Sequence, residues 1–347
     1  MERLGIGLWG GMPINDLIDV VRLADRRGYE SAYLIESFSD AFCFLAACAR
    51  ETDDIILGTG VATVFTRNPT TIAIAAATVD SISEGRFRLG LGAGHREIHR
   101  MRDDVEILRP SPFENPLQRL RETTELTRAI LKGAFNGESV RYRGEIFQVR
   151  DYEPWLSPYR DNIEIFYGAF SESTFELAGE VADGIAPIFV PLEFVPVMKD
   201  SVARGAARVG RDPAEIDLGC YLPTCVSDDV EEAKLAVKYN MADHMSSRQY
   251  YQNYFVRRGM KDAVDGIVAL VEEGRVDEAV DLVTDEMADA VTVYGTPEMC
   301  RDKIDTYRQA GITLPIVFPI HPGFRSYLPD KKSHDGIMHI VDALGTN

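Results

Sequence analysis

Residues 58–94 read GTGVATVFTRNPTTIAIAAATVDSISEGRFRLGLGAG, and this stretch decides the fold. The apolar residues that precede Gly58 predict a buried strand, and the end of that strand is rich in glycine. Asn68-Pro69 then predicts the start of a helix of small residues. Phe87 begins a second strand, which also ends in glycines. This order predicts a parallel βαβ unit whose glycine-rich strand ends let a ligand approach the backbone closely.

The same alternation of strands and helices extends in both directions from this unit. Strands are predicted at 4–8, 31–35, 55–61, 87–91, 163–168, 184–188, 216–226 and 314–320. Helical patterns follow nearly all of them, so the sequence predicts an α/β fold of the (β/α)8 TIM-barrel type rather than an open sheet. We predict a single domain over residues 1–347, with insertions near 95–116, 138–150 and 230–293. The active face is expected at the C-terminal ends of the strands.

Composition argues against two classes of partner. The net charge is −18, and 29 of the 37 basic residues are arginines. Such an acidic surface repels DNA and RNA, so we expect no nucleic-acid partner. The longest apolar runs, such as 312–320, are too short to span a bilayer. No signal peptide is visible after Met1, and we therefore expect a cytoplasmic protein with no membrane partner.

Cysteine and histidine patterns predict neither a disulfide framework nor a metal centre. The five cysteines include no CxxC pair, and Cys43 and Cys48, which lie among apolar residues, are predicted to be buried and inert. His95 and His99 have the i, i+4 spacing of two ligands on one helix face. Two histidines without a third ligand do not indicate a metal site, and none is expected.

Several motifs resemble those of the bacterial-luciferase-like superfamily, which includes FMN monooxygenases and enzymes that use the deazaflavin coenzyme F420. The motifs are TRNP at 66–69, TVDSISEGR at 78–86 and LGLGAG at 89–94. Three segments of the second half look like the F420-dependent methylenetetrahydromethanopterin reductases. These are FYGAFS at 166–171, AGEVADG at 178–184 and the run at 280–297.

The resemblance implies an oxidoreductase that transfers hydride between coenzyme F420 and a small organic substrate, with an FMN-dependent monooxygenase as the alternative. It also implies a homodimer and a non-prolyl cis peptide bond between Gly60 and Val61 that backs the coenzyme ring. The residues that it assigns to the coenzyme are Glu36, Ser37, Gly60, Val61, Ala62, Gly92, Ala93, Gly94, His95, Gly168, Ala169, Phe170 and Ser171. Glu36 and His95 are also its catalytic candidates.

Each of these assignments has a structural alternative. Glu36 follows the second strand, where it would accept a hydrogen bond from the coenzyme or simply cap the next helix. His95 would donate to a ligand or shuttle a proton, or it would be a solvated loop residue. Gly58 and Gly60 would shape the ring site or only ease a tight turn. Ser171 begins a helix whose free N–H groups suit a phosphate, but it would also serve as an ordinary N-cap.

Other positions depart from the reductase pattern or leave the function open. The glutamate expected in the first strand is Gly7 here, which argues against methylenetetrahydromethanopterin itself as the substrate. The aromatic-rich stretch 239–255 would either wall a substrate pocket or pack an insertion helix onto the barrel or onto a second subunit. A non-catalytic barrel that binds a flavin or serves as an assembly partner is a third functional class.

Overall fold

The computed structural model describes residues 2–36, 39–94, 114–247, 249–325 and 331–345. Ser37 and His95, which the sequence assigns to the site, lie outside the described residues, as does almost all of the insertion predicted near 95–116. The strands of the described part are β1 (Gly5–Trp9), β2 (Ser31–Ile35), β3 (Ile56–Thr59), β4 (Ala62–Thr63), β5 (Phe87–Gly92), β6 (Val140–Arg143), β7 (Gln148–Tyr152), β8 (Ile165–Tyr167), β9 (Gly184–Ile185), β10 (Asp217–Val226), β11 (Val293–Gly295) and β12 (Leu314–Pro319).

Eight parallel strands close into a barrel. Their order is β1-β2-β3-β5-β8-β9-β10-β12, and β12 pairs with β1 to complete the ring. The closure on the far side comes from β9 and β10, where Gly184 pairs with Asp217 and Ile185 pairs with Leu218. The predicted (β/α)8 barrel is therefore confirmed, and all eight predicted strands coincide with the eight strands of the ring.

The helices of the described part cover the outside of the barrel and one end of it. They are α1 (Ile14–Arg26), α2 (Ala41–Ala49), α3 (Pro69–Ile82), α4 (Pro116–Asn136), α5 (Glu172–Val181), α6 (Val195–Val209), α7 (Val230–Ser247), α8 (Gln249–Val256), α9 (Lys261–Glu272), α10 (Val276–Asp281), α11 (Asp285–Val291), α12 (Pro297–Ala310) and α13 (Lys331–Leu344). None of them is long and apolar enough to cross a membrane within the described residues.

Local sequence explains where these helices begin and which face they bury. In α3 the side chain of Asn68 accepts a hydrogen bond of 2.8 Å from the Thr71 N–H, and Pro69 takes the first helical position. An N-cap acceptor satisfies a backbone donor that has no partner within the helix. In α1 the buried residues recur at helical spacing and form one face against the barrel: Leu17, Val20, Val21 and Ala24.

Two of the predicted insertions contain regular secondary structure. The segment near 138–150 is an antiparallel hairpin of β6 and β7, and residues 230–291 form five successive helices, α7 to α11. The short strand β11 and the C-terminal helix α13 are not predicted by the sequence reasoning above. In α13, Ile337, Ile340 and Val341 are buried at helical spacing.

The cysteine prediction is correct for Cys48 and wrong for Cys43. All five cysteines are free thiols; Cys43 is exposed and the other four are buried. Cys43 lies on α2 between Phe42 and Phe44, both of which are buried. Neighbouring residues on a helix point in different directions, so a run of apolar letters does not bury every member of the run.

Charged residues form hydrogen-bonded contacts near the N-terminal ends of the barrel strands. Arg3, before β1, donates four hydrogen bonds of 2.5 to 2.8 Å to Glu30 and Asp217. Arg88, on β5, is 3% exposed and donates to Tyr33 Oη at 2.7 Å and to Glu164 at 2.8 Å. These contacts lie toward the N-terminal ends of the strands, the face that stabilises a TIM barrel, and leave the opposite face for a site.

Candidate active site

A cavity of about 470 Å³ opens at the C-terminal ends of the barrel strands. This volume lies within the range of small-molecule and cofactor sites. The cavity is lined by nine of the residues that the sequence assigns to the coenzyme: Glu36, Gly60, Val61, Gly92, Ala93, Gly94, Gly168, Phe170 and Ser171. Ala62 and Ala169 are buried and do not line it. Strands that are far apart in sequence thus bring most of the predicted residues together.

Glycine backbone forms one wall of the cavity around the side chain of Val61. A Cβ atom at Gly92 would lie 2.6 Å from Val61 Cγ2, and one at Gly168 would lie 3.0 Å from Val61 Cγ1. The peptide bond between Gly60 and Val61 is cis, as the resemblance implied. Because a side chain at Gly92 or Gly168 would collide with Val61, these glycines let three strand ends approach one another and leave backbone facing the cavity.

Glu36, which also lines the cavity, is held by an ion pair with Arg67. Its side chain is 3% exposed, and Oε1 accepts hydrogen bonds from Arg67 Nε at 2.9 Å and Nη2 at 2.5 Å. Arg67 also donates to Asp40 at 2.6 Å, and its guanidinium lies 5.0 Å from the ring centroid of Phe42. The Glu36 carboxylate therefore faces the cavity as one member of a charged network, with Arg67 as its neutralising partner.

Asp40 links this network to helix α2. The Asp40 carboxylate accepts hydrogen bonds from the N–H groups of Phe42 and Cys43 and so caps the helix. Desolvation acts to raise the pKa of Asp40, but the Arg67 guanidinium and these backbone donors outweigh it and hold the pKa below its usual value. The helix cap is thus made by Asp40, and the cap that we considered for Glu36 is not observed among the contacts of the described residues.

The N-terminus of α5 meets the rim of the cavity. Ser171 Oγ accepts a 3.3 Å hydrogen bond from the Thr174 N–H, so the N-cap reading of Ser171 is confirmed. Ser171 also contacts the hydroxyl groups of Ser173 and Thr174 at 3.0 and 2.8 Å, and all three residues line the cavity. Across the same lining, Arg257 is exposed and has no ion-pair partner among the described residues.

Aromatic residues from α7 and α8 form the wall above the strand ends. The ring of Tyr251 makes an edge contact with Phe170 at 5.7 Å and lies 4.8 Å from the ring of His244. Tyr254 contacts Phe170 at 5.7 Å, and its hydroxyl donates to the carbonyl of Phe189 at 2.6 Å. Residues of the 239–255 stretch therefore pack the helices onto the barrel and also line the cavity.

His244 has a fixed orientation in this wall. Its side chain is 5% exposed, and Nδ1 lies 2.8 Å from the carbonyl oxygen of Asn240, one helical turn earlier. Because a carbonyl oxygen only accepts, Nδ1 carries the hydrogen in this contact. The other ring nitrogen, Nε2, is then the one whose protonation can change.

The floor of the cavity is the ring of Tyr221, from the middle of β10. Tyr221 packs edge-on against Tyr33, with ring centroids 6.1 Å apart. A Cβ atom at Gly7 would lie 2.5 Å from the Tyr221 ring, and one at Gly60 would lie 2.3 Å from its hydroxyl oxygen. The tyrosine thus occupies the space above Gly7, where the reductase-like pattern leads one to expect an acid.

A family model described as luciferase-like monooxygenase matches residues 3–314. The chain belongs to this family. Among its relatives is a Mycobacterium tuberculosis protein provisionally named as a coenzyme F420-dependent oxidoreductase, 28% identical over 330 residues, which cover 90% of this chain and 93% of the relative. The 5,10-methylenetetrahydromethanopterin reductase of Methanolobus tindarius is 28% identical over 306 residues, with 87% and 89% covered.

A solved structure matches the fold over the full length of this chain. The coenzyme F420-dependent tetrahydromethanopterin reductase of Methanopyrus kandleri superposes with a TM-score of 0.83 and 23% identity, covering 100% of this chain and 98% of the other. At this level of identity the likeness concerns the fold. The resemblance to the luciferase-like superfamily and the predicted architecture are therefore both confirmed.

Four residues of this candidate site are not among those singled out from the sequence: Arg67, Tyr221, Arg257 and Arg258. Tyr221 carried a readable signal, because Cys220 and Leu222 pack in the outer core and alternation turns Tyr221 to the inside of the barrel. The aromatic content of 239–255 offered α7 and α8 as a pocket wall, but helical periodicity does not tell which end of a barrel a helix covers.

Proposed function

We propose that this protein is a coenzyme F420-dependent oxidoreductase that transfers hydride between the deazaflavin and a small organic substrate. The observation that carries the proposal is the cavity at the strand ends, whose one wall is glycine backbone around Val61. Glycines without side chains let a planar ring approach this backbone closely. The name of a relative that matches 90% of this chain supports the identity of the coenzyme.

The residues present fit a planar coenzyme with an anionic tail. The ring would lie against Gly60, Val61 and Gly92. A side chain added at Gly60 would collide with Tyr221, and one added at Gly92 would collide with Val61. The free N–H groups and hydroxyls at the start of α5 would bind a phosphate, with the helix dipole favouring negative charge. Arg257 would add a positive charge at the rim. On a protein of net charge −18, such a local positive site is needed to hold a polyanion.

The deazaflavin supplies the hydride chemistry when it is bound, and the chain supplies binding and orientation. The aromatic wall of Tyr251 and Tyr254 would hold the substrate over the ring and exclude water, which brings the reacting atoms into alignment. Glu36 would accept a hydrogen bond from the coenzyme while Arg67 keeps its charge compensated. His244 is positioned to hold or release a proton at Nε2.

The reacting group of the substrate is proposed to be of the C–N or CH–NH type, by analogy with the reductases among the relatives. Methylenetetrahydromethanopterin itself is disfavoured, because Gly7 replaces the expected acid and Tyr221 fills the space above it. His95 and Ser37 remain candidate site residues, Ala62 and Ala169 remain candidates through their backbone, and a cytoplasmic homodimer remains the proposed form of the protein.

An FMN-dependent monooxygenase on the same barrel is the second candidate, because the matching family model is itself described as a monooxygenase. A non-catalytic flavin-binding barrel is the third. The three are separated by titrating the purified, colourless protein with F420 and with FMN and following fluorescence quenching. F420 binding followed by reduction or oxidation of a substrate supports the proposal. FMN binding with no F420 response overturns it, and coenzyme binding without turnover favours the third candidate.

A further inference from the structure

Tyr221 combines deep burial with a position at the floor of the cavity. Its side chain is 6% exposed, and it lines the cavity from inside the barrel. Its hydroxyl oxygen lies against Gly60, because a Cβ atom built there would approach it to 2.3 Å. The phenol therefore ends at the part of the wall against which the proposed ring would lie.

The hydroxyl of Tyr221 makes no hydrogen bond with any described residue. Tyr33, the neighbouring barrel tyrosine, differs in this respect, since its hydroxyl accepts a 2.7 Å hydrogen bond from Arg88. Two buried tyrosines whose rings lie 6.1 Å apart thus differ in whether their hydroxyl groups are hydrogen-bonded to the protein. Because Tyr221 lines the cavity, its unpartnered hydroxyl is open to a water or a ligand there.

Burial also fixes the protonation state of this phenol. Desolvation, and to a smaller extent the neighbouring Tyr33, raises the pKa of Tyr221 well above its ordinary value. The hydroxyl is therefore neutral over the whole physiological pH range and can donate a hydrogen bond. A neutral donor recognises an acceptor atom and does not require a compensating charge.

The surroundings of Tyr221 match a neutral acceptor rather than a cation. Among the described residues that line the cavity, Glu36 is the one carboxylate, and Arg67 pairs with it. Position 7 cannot carry an acid, because the Tyr221 ring occupies the space that its side chain would need. The floor of the cavity thus offers a phenol O–H where an acid would have offered a negative charge.

We propose that Tyr221 Oη donates a hydrogen bond to a carbonyl oxygen or ring nitrogen at the edge of the planar coenzyme bound over Gly60. This inference rests on the proposed function and adds to it a positioning residue at the buried edge of the ring. The hydrogen bond would satisfy the phenol and would hold the ring at one depth and rotation in the barrel. A substrate carbonyl is the other acceptor that could reach the same hydroxyl, and the experiment separates the two.

The test compares Tyr221→Phe with Tyr33→Phe, each of which removes one buried hydroxyl. Tyr221→Phe is expected to weaken binding of F420 about tenfold, the loss of one hydrogen bond of about 1.4 kcal/mol, while the melting temperature stays the same or rises. Tyr33→Phe is expected to lower the melting temperature, because Arg88 loses an acceptor, and to leave the coenzyme Kd within about twofold. Binding is followed by fluorescence quenching, and stability by thermal unfolding without coenzyme.

The outcomes distinguish failure of this inference from failure of the proposed function. If the wild-type protein binds F420 and Tyr221→Phe binds it equally well, the inference is overturned and the function stands; the acceptor is then on the substrate or on water. If the wild type binds FMN alone and Tyr221→Phe weakens that binding, the hydrogen bond stands and the deazaflavin assignment falls. If the wild type binds neither coenzyme, both are overturned.

Discussion

Replacing Arg67 with methionine should destabilise the protein strongly, although Arg67 lies at the edge of the cavity. Arg67 provides two hydrogen bonds to Glu36, whose side chain is 3% exposed. The Thr63 N–H also donates to this carboxylate, at 3.4 Å. A hydrogen bond of that length cannot compensate a buried charge once Arg67 is removed. Removing one partner of a buried ion pair typically costs about 3–5 kcal/mol.

This cost translates into a measurable shift of the melting temperature. An unfolding entropy of about 2.1 cal/mol/K per residue gives a chain of 347 residues about 0.7 kcal/mol/K. A loss of about 3–5 kcal/mol then corresponds to a fall of about 4–7 °C at neutral pH. Differential scanning calorimetry of the wild type and the Arg67→Met variant measures this fall directly.

Two further variants make the interpretation specific. Glu36→Gln should be milder than Arg67→Met, because Arg67 keeps Asp40 as a partner and a neutral amide is easier to bury than a carboxylate. Arg22→Met breaks the exposed pair with Glu51, in which both side chains are 41% exposed, and should leave the melting temperature nearly unchanged. Equal shifts for Arg67→Met and Arg22→Met would refute the reasoning that burial of Glu36 sets the cost.

Gly60→Ala should reduce coenzyme affinity more than tenfold in a fluorescence titration, because its Cβ would lie 2.3 Å from Tyr221 Oη; unchanged affinity would place the ring elsewhere. Burial of Asp80 raises its pKa, so the contribution of this carboxyl group to stability falls as the pH rises above about 4. The Arg160→Ala variant should lose about 3–5 kcal/mol of unfolding free energy at pH 8. In urea unfolding this loss should shrink toward pH 5, and a loss that stays constant with pH would contradict the prediction. A thiol reagent should modify Cys43 alone in the native protein and five thiols after unfolding; two or more accessible native thiols would be inconsistent with the packing.

The barrel could be predicted because its strands are short, buried apolar runs bounded by glycine and by helix caps. Asn68-Pro69 shows how local this information is, since the cap and the first helical residue of α3 are read directly from two letters. The C-terminal helix α13 was missed because it follows the last strand, where the expected alternation was already complete. Its buried residues Ile337, Ile340 and Val341 nevertheless have a clear helical spacing.

The site was only partly predictable, because backbone and side-chain contributions differ in how they are encoded. Gly92 and Gly168 lie at strand ends, so the barrel topology alone brings them to one face. Arg67 was passed over as part of a motif, although it is the partner that determines what Glu36 can do. The contacts of Tyr221 and His244 depend on how strands and helices from distant parts of the chain meet, which neither periodicity nor spacing records.

We propose that a deazaflavin ring binds against the backbone at the strand ends. The most direct test is a crystal structure of the protein with F420, in which the position of the ring is read from difference density. We expect a ring in van der Waals contact with Gly60, Val61 and Gly92, with one edge within hydrogen-bond distance of Tyr221 Oη. Density for the ring outside this cavity would contradict the proposed binding site.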